Sequence, residues 1–235
     1  MKNAALVLAG GVGSRMNMGS FPKQYLMVDD RPVLDYCLCT FQEIQTVDAI
    51  VIVADVSWRD FISQWLEKSK ITKFVAFADP GETRQFSIFN GLEVIEAQVP
   101  DCENVIIHDS ARPLISAELI CACFQGLQEA EGVMPVLPVK DTCYQSLDGK
   151  TISGFLPRSQ LFAGQAPEAF RLKPYLELHR TLPREVLLEI SGSSELAYKH
   201  GLKVAMIPGE ERNFKITTQD DLKLLEKYLY REETK

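Results

Sequence analysis

The chain lacks most of what membrane, secreted and nucleic-acid-coating proteins require. Among its 235 residues no apolar run approaches the length of a bilayer span, which argues against a transmembrane helix. The N-terminal residues enter an apolar strand at once, without the basic, apolar and small-residue succession of a secretory leader, so the cytoplasm is the expected compartment. Basic residues are outnumbered, 25 Lys and Arg against 32 Asp and Glu, and the net charge of −7 argues against a nucleic-acid partner, which needs a basic face. Any anion site must therefore be a local basic pocket in an acidic protein. Histidine is scarce: the three residues, His108, His179 and His200, do not cluster with cysteine. The six cysteines include C-x-C pairs but no C-x-x-C, which argues against a zinc site and for reduced thiols packed as small apolar side chains. Two common phosphate fingerprints are missing as well. There is no Walker Gly-Lys-Ser/Thr, and Gly11-x-Gly13 is followed by Met16 where a dinucleotide loop needs glycine or alanine.

What is present is a regular alternation. At 46% hydrophobic the chain can bury a full core. Apolar runs at Ala4–Leu8, Ala49–Ala54, Phe74–Phe77, Val105–Ile107, Val133–Val139 and Val204–Ile207 read as buried strands. Between them, helical patterns occupy Val33–Phe41, Ser57–Lys68, Thr83–Ala97, Ser116–Glu129 and Thr218–Tyr230. This order predicts an α/β fold, a Rossmann-like and mostly parallel sheet with helices on both faces, in one domain spanning residues 1–235. One segment breaks the alternation. Around residues 140–162, Asp148-Gly149 sits between short β-leaning runs, a hairpin signal. Such a hairpin reads either as an arm that meets a partner subunit or as a local surface feature.

Four stretches carry chemistry. The first follows the opening strand: Ala9-Gly10-Gly11-Val12-Gly13, then Arg15, then Pro22-Lys23-Gln24. Glycines bend the backbone tightly and bare its N–H groups to an anion, and the two cations suit charge developing on a phosphorus under attack. By itself such a turn is also an ordinary strand-to-helix corner. The second is Asp79-Pro-Gly-Glu-Thr-Arg-Gln-Phe-Ser87, where Gly81, Thr83 and Ser87 at a helix start could bond a base or phosphate, or simply cap the helix. The third, His108-Asp-Ser-Ala-Arg-Pro113, ends a strand. Asp109 could hold Mg²⁺ and Arg112 a phosphate; alternatively the two close a turn as an ion pair. His108 reads as a satisfied core residue rather than a base. The fourth is the scattered set Arg158, Gln165, Ser191 and Lys215, which mean little singly.

Taken together, these motifs resemble the cytidylyltransferases that join CTP to a polyol phosphate. The family has two relevant branches, acting on 2-C-methyl-D-erythritol 4-phosphate (in isoprenoid biosynthesis) and on ribitol 5-phosphate. The resemblance runs from Leu6 to the last helix. It rests on Ala9-Gly-Gly-x-Gly-x-Arg-Met with Pro22-Lys-Gln, Gly81-x-x-Arg-x-x-Ser87, His108-Asp-Ser-Ala-Arg-Pro and Asn213-x-Lys-Ile-Thr, in that order. It implies that Ala9, Gly10, Gly11 and Gly13 wrap the CTP triphosphate and that Arg15 and Lys23 stabilise the α-phosphate. It further implies that Gly81, Glu82, Arg84 and Ser87 hold the cytosine and ribose, with Asp109 and Ser110 near the ribose and Mg²⁺. Arg112, Thr142, Arg158, Ser191 and Lys215 would surround the polyol phosphate, with Lys215 also serving catalysis. In this family the hairpin crosses to the other subunit of a homodimer, so Thr142 and Arg158 would serve the neighbour's site. No general base is implied, because the acceptor phosphate is already ionised.

The acceptor is harder to read. Arg15 and Lys23 lie eight positions apart, as in the ribitol branch, and Gly164-Gln-Ala-Pro is similar to that branch's Gly-Gln-Thr-Pro. Ala166 lacks the usual threonine hydroxyl, and Ser191-Gly192-Ser193 stands where the family has Thr-Asp-x, keeping the hydroxyl and losing the carboxylate. The expectation is ribitol 5-phosphate, with 2-C-methyl-D-erythritol 4-phosphate next and another sugar or polyol phosphate as a third. A non-catalytic nucleotide-binding protein is disfavoured by retention of both loop cations.

Overall fold

The computed structural model describes residues 2–11 and 21–233. Strand β1 (Lys2–Leu8) lies at the centre of the main sheet, hydrogen-bonded to β4 (Ala49–Val53) on one side and β6 (Cys102–Asp109) on the other, both parallel to it. β5 (Phe74–Ala78) extends the sheet beyond β4, also parallel. The chain therefore winds outward from β1 through β4 to β5, then crosses back to β6. This reversal beside β1 is the topological switch point at which open α/β sheets bind ligands, outside the carboxyl ends of the strands.

Each strand sends alternate side chains to opposite faces. From β1, Ala5 and Val7 join a core with Leu38 and Phe41 of α1 (Val33–Glu43), Ile62 of α2 (Val56–Lys68) and Ile120 of α4 (Ala117–Gly126). Ala4 and Leu6 join the opposite core with Ile88 and Leu92 of α3 (Arg84–Gln98). Helices thus cover both faces, as the continuous apolar strands require. A small hairpin of β2 (Met27–Val28) and β3 (Arg31–Pro32) precedes α1.

The far half of the sheet is mixed. β7 (Gly132–Pro138) bears β12 (Val204–Pro208) in parallel on one edge. On the other it bears two short antiparallel strands, β10 (Phe162–Gly164) and β11 (Glu168–Arg171), separated by a cis Ala166–Pro167 bond. β11 is inserted between β7 and β6, antiparallel to both.

All six expected strands and all five expected helices are present, within a few residues at each end. The sequence reading missed β2, β3, β10, β11 and three helices: α5 (Leu172–Thr181), α6 (Arg184–Glu189) and α7 (Ser193–Lys199). The missed strands and α6 and α7 are too short to display a period. In α5, Pro174 reads as a breaker but sits in the first turn, where its missing N–H has no helical partner to lose. The expected hairpin is β8 (Cys143–Gln145) paired with β9 (Gly154–Leu156). Its Asp148 carboxylate accepts hydrogen bonds from the Lys150 and Thr151 N–H groups and from the Ser146 and Thr151 hydroxyls. The six cysteines are free thiols. The last helix, α8 (Gln219–Glu233), packs over β2 through Leu225, in a cluster with Val28 of that strand and Val33 at the start of α1.

Candidate active site

A cavity of about 430 Å³ opens at the carboxyl ends of β1, β4 and β6, lined there by Leu8, Val53 and Asp109. Gly10, Gly11 and Lys23 form one wall, Gly81 to Arg84 with Ser87 a second, and Lys215 with Thr217 a third. Residues far apart in sequence thus converge at the switch point.

The glycine loop leaves β1 under tight restraint. Ala9 N–H continues the ladder to the Val53 carbonyl at 2.8 Å. A Cβ on Gly10 would come within 2.7 Å of Pro80 Cβ, so only glycine allows the second loop to approach the first so closely. Gly13 and Arg15 lie outside the described residues.

The second loop is internally bonded. Gly81 N–H donates to Ser87 Oγ at 2.9 Å, the Ser87 hydroxyl donates to the Thr83 carbonyl at 2.9 Å, and the Thr83 side chain caps α3. Thr83 and Ser87 hydroxyls therefore shape the loop. Glu82 points outward to Arg184, which reaches both its oxygens at 2.6 Å.

At the third motif, Asp109 lies between two cations. Lys215 Nζ stands 2.7 Å from Oδ2, and Arg84 Nη2 stands 3.3 Å from Oδ1. Burial alone would raise the Asp109 pKa; the attraction of Arg84 and Lys215 outweighs it and holds the carboxyl well below the usual range. Arg84 is fixed from behind by Ser193 Oγ at 2.8 Å and by Glu168 Oε1 at 3.5 Å. Glu168 in turn accepts from the N–H and hydroxyl of Ser194. Ser110 ties β6 to β1, its hydroxyl donating to the Leu8 carbonyl at 2.7 Å.

Arg112 does not line the cavity. Its guanidinium turns inward and donates to the Asn213 carbonyl at 2.7 Å, while Ile216 N–H donates to the Ala111 carbonyl at 2.8 Å. These bonds dock the segment carrying Lys215 against the end of β6. His108 is fully buried with Nε2 2.9 Å from the Arg112 carbonyl, and burial pushes its pKa down to about 4. It is a core residue, as expected, and takes no part in the cavity.

Of the residues the sequence singled out, the cavity lining brings together Gly10, Gly11, Lys23, Gly81, Glu82, Arg84, Ser87, Asp109, Ser110 and Lys215. Ala9 is buried beneath it. Thr142 and Arg158 belong to the hairpin segment, where Arg158 donates to the Lys140 carbonyl, and Ser191 bonds Glu195; none of them lines this chain's cavity. Sequence reasoning missed Gln24, Glu168, Ser193 and Thr217 as site residues. Gln24 carried a signal, its place in Pro-Lys-Gln, as did Thr217, the last residue of Asn213-x-Lys-Ile-Thr, and Ser193, within Ser191-Gly192-Ser193; Glu168 is visible only in three dimensions. Among the described residues no group of three or more His, Cys, Asp or Glu side chains could hold a metal ion.

The family model described as IspD, 2-C-methyl-D-erythritol 4-phosphate cytidylyltransferase, matches residues 3–231. The chain belongs to this cytidylyltransferase family. As a cytidylyltransferase it is a nucleotidyltransferase, and its relatives include both branches. It is 35% identical over 221 residues to a ribitol-5-phosphate cytidylyltransferase of Streptococcus agalactiae serotype V, covering 94% of this chain and 92% of that one. It is 37% identical over 226 residues to a 2-C-methyl-D-erythritol 4-phosphate cytidylyltransferase of Rubrobacter xylanophilus, covering 96% and 94%. Among solved structures, the 4-diphosphocytidyl-2C-methyl-D-erythritol synthase of Anaerococcus prevotii superposes with a TM-score of 0.82 at 27% identity, covering 97% of this chain and 96% of that one. No helix among the described residues is long and apolar enough to cross a membrane.

Proposed function

We propose that this cytidylyltransferase joins CTP to ribitol 5-phosphate in the cytoplasm, forming CDP-ribitol and releasing pyrophosphate. The observation that carries the reaction is the convergence of the glycine loop, Lys23, Arg84 and Lys215 on one cavity beyond the strand ends. In this reading an oxygen of the acceptor phosphate attacks the α-phosphorus of CTP, the bond to the β-phosphate breaks, and pyrophosphate leaves in line. The acceptor is ionised at neutral pH, so no base is needed; positioning and positive charge supply the catalysis.

Ala9, Gly10, Gly11 and Gly13 take the triphosphate, and Arg15 and Lys23 stabilise the α-phosphate. Gly81, Glu82, Arg84 and Ser87 flank the nucleoside, with Asp109 and Ser110 beside the ribose. Lys215 faces the acceptor phosphate. The exposed Tyr144, Leu147, Ile152 and Phe155 of the hairpin support a homodimer, in which Thr142 and Arg158 would serve the neighbour's site, while Arg112 supports the acceptor side indirectly by docking the Lys215 segment.

Mg²⁺ commonly takes one or two carboxylates together with substrate phosphate oxygens, and Asp109 would offer it an oxygen by giving up its contact with Lys215 or Arg84. Asp109 is the carboxylate that would hold it, and the bound ion would neutralise triphosphate charge.

Ribitol 5-phosphate is favoured by the interval from Arg15 to Lys23 and by the Gly164-Gln-Ala-Pro stretch. The Rubrobacter relative favours 2-C-methyl-D-erythritol 4-phosphate as the second reading. Pyrophosphate release, measured with CTP, ATP, GTP and UTP against both acceptors, tests both. Turnover with CTP and ribitol 5-phosphate is expected. Turnover of CTP with the methylerythritol substrate alone selects the second reading, and turnover only with another nucleotide overturns both.

A further inference from the structure

The residue after Lys23 does something the cations cannot. Gln24 is buried, and its side-chain amide donates to two carbonyls of the glycine loop, Ala9 at 2.6 Å and Gly11 at 2.9 Å. Both donors of one amide are thereby used. The Tyr25 hydroxyl donates to the same Ala9 carbonyl at 2.8 Å. Tyr25 is itself held in place, stacked on Trp58 at 4.3 Å and edge-on to Phe61. Burial pushes its hydroxyl well above the usual pKa range, so it remains a donor throughout the working range of pH.

An anion-binding loop must direct N–H groups toward the ligand and carbonyl oxygens away from it. In a trans peptide the carbonyl and the following N–H point to opposite sides of the chain. Drawing the Ala9 carbonyl toward Gln24 and Tyr25 therefore turns the Gly10 N–H the other way. Strand pairing cannot do this beyond Ala9, because β1 ends at Leu8. The same short 3₁₀ turn, Lys23–Tyr25, supplies both the cavity-lining cation and these donors.

We propose that Gln24, backed by Tyr25, is a positioning residue for the nucleotide triphosphate: it holds the Ala9 and Gly11 carbonyls away from the phosphates and so sets the loop's N–H groups to receive them. This rests on the reading of the cavity as the CTP site.

The test uses the full-length enzyme and the variants Gln24→Met, Gln24→Glu and Tyr25→Phe. Both Gln24 variants are near-isosteric and lose the paired donors. Their KM for CTP and their Kd for inorganic tripolyphosphate are expected to rise roughly ten- to thirtyfold, the size of two lost hydrogen bonds, while KM for the acceptor changes less than twofold. Tyr25→Phe, which removes one donor, is expected to raise KM for CTP about threefold. Acid pH supplies a readout that loss of packing would not move. Burial against two carbonyl oxygens disfavours the charged form of the Gln24→Glu carboxyl and raises its pKa. Protonation restores one donor, so its deficit relative to wild type narrows as pH is lowered from 8 to 5, whereas that of Gln24→Met stays constant. CTP and tripolyphosphate affinities within twofold of wild type in the Gln24 variants would overturn the proposal. If those variants fail to fold, an unchanged KM for CTP in Tyr25→Phe overturns it. Wild-type enzyme that turns over no CTP overturns the reading of the cavity instead.

Discussion

Replacing Asp109 by asparagine isolates the charge at the centre of the site. The carboxylate stands 2.7 Å from Lys215 Nζ and 3.3 Å from Arg84 Nη2. At an effective dielectric constant of about 20, each contact corresponds to a gross attraction of about 5 kcal/mol, most of it offset by desolvation. Removing one partner of a fully buried pair costs about 3–5 kcal/mol. Here the Arg84 and Lys215 side chains are 31% and 36% exposed, so solvent screening reduces the cost, and Arg84 keeps Glu168. The net loss is about 2 kcal/mol, or roughly 4–8 °C in Tm for a chain of this size. Asparagine keeps the shape but offers one oxygen where two cations need acceptors, and its NH₂ faces the other cation. Turnover should fall about tenfold or more, because Lys215 loses the group that aims it.

The sign with pH is fixed. The folded carboxyl has a pKa below its unfolded value, so its contribution is full above the unfolded value, about 3.9, and is lost as pH falls through the folded one. The Tm gap between wild type and Asp109→Asn, followed by calorimetry from pH 7 downward, should therefore narrow only in strong acid. Equal Tm values at pH 7 together with unchanged turnover would refute the ion-pair reasoning.

Other outcomes follow from the same geometry. Lys23→Ala should lower kcat for pyrophosphate release by about a hundredfold, the scale of losing a transition-state donor; near-wild-type turnover would remove Lys23 from the reaction. His108 and His179 are buried, and burial pushes both pKa values down to about 4, below the unfolded value near 6.5. Their stabilisation is full above pH 6.5 and is lost as pH falls toward 4, so Tm should drop across that window. His179→Gln should flatten part of the drop, and an unaltered slope would show that His179 does not titrate on unfolding. Phe155→Glu, on the exposed hairpin, should shift sedimentation from dimer to monomer while leaving Tm within about 2 °C, because a surface change costs little inside one chain. A wild-type chain that sediments as a monomer would remove the shared-site reading.

Much of this fold could be read locally. Ala4–Leu8, Ala49–Ala54 and Val105–Ile107 are apolar on both faces, a pattern that suits parallel strands covered by helices on each side. The helices between them carry their own caps, such as Asp55 and Thr83. Elements whose cause is tertiary were not legible. β11 is a four-residue strand that exists because the β6 and β7 edges lie either side of it. Glu168 has no motif to announce it, and its role comes from Arg84, remote from it in sequence.

The candidate site divides along the same line. The sequence by itself determined the loops, because a glycine turn after a buried strand, a capped helix start and a strand-terminal Asp-Ser-Ala-Arg are each local chemistry. It also determined the family, since four such motifs occur in order. Only the tertiary structure decided which charges neutralise one another. Asp109 and Lys215 are 106 residues apart, and hydrogen bonds from Arg112 and Ile216 bring the two segments together. The same applies to Gln24: sequence placed it beside a cation, and the fold turned its amide onto the glycine loop. Propensity acts over a few neighbouring residues, whereas the strength of an ion pair or a hydrogen bond depends on distance and burial, which are set when the sheet closes around its core.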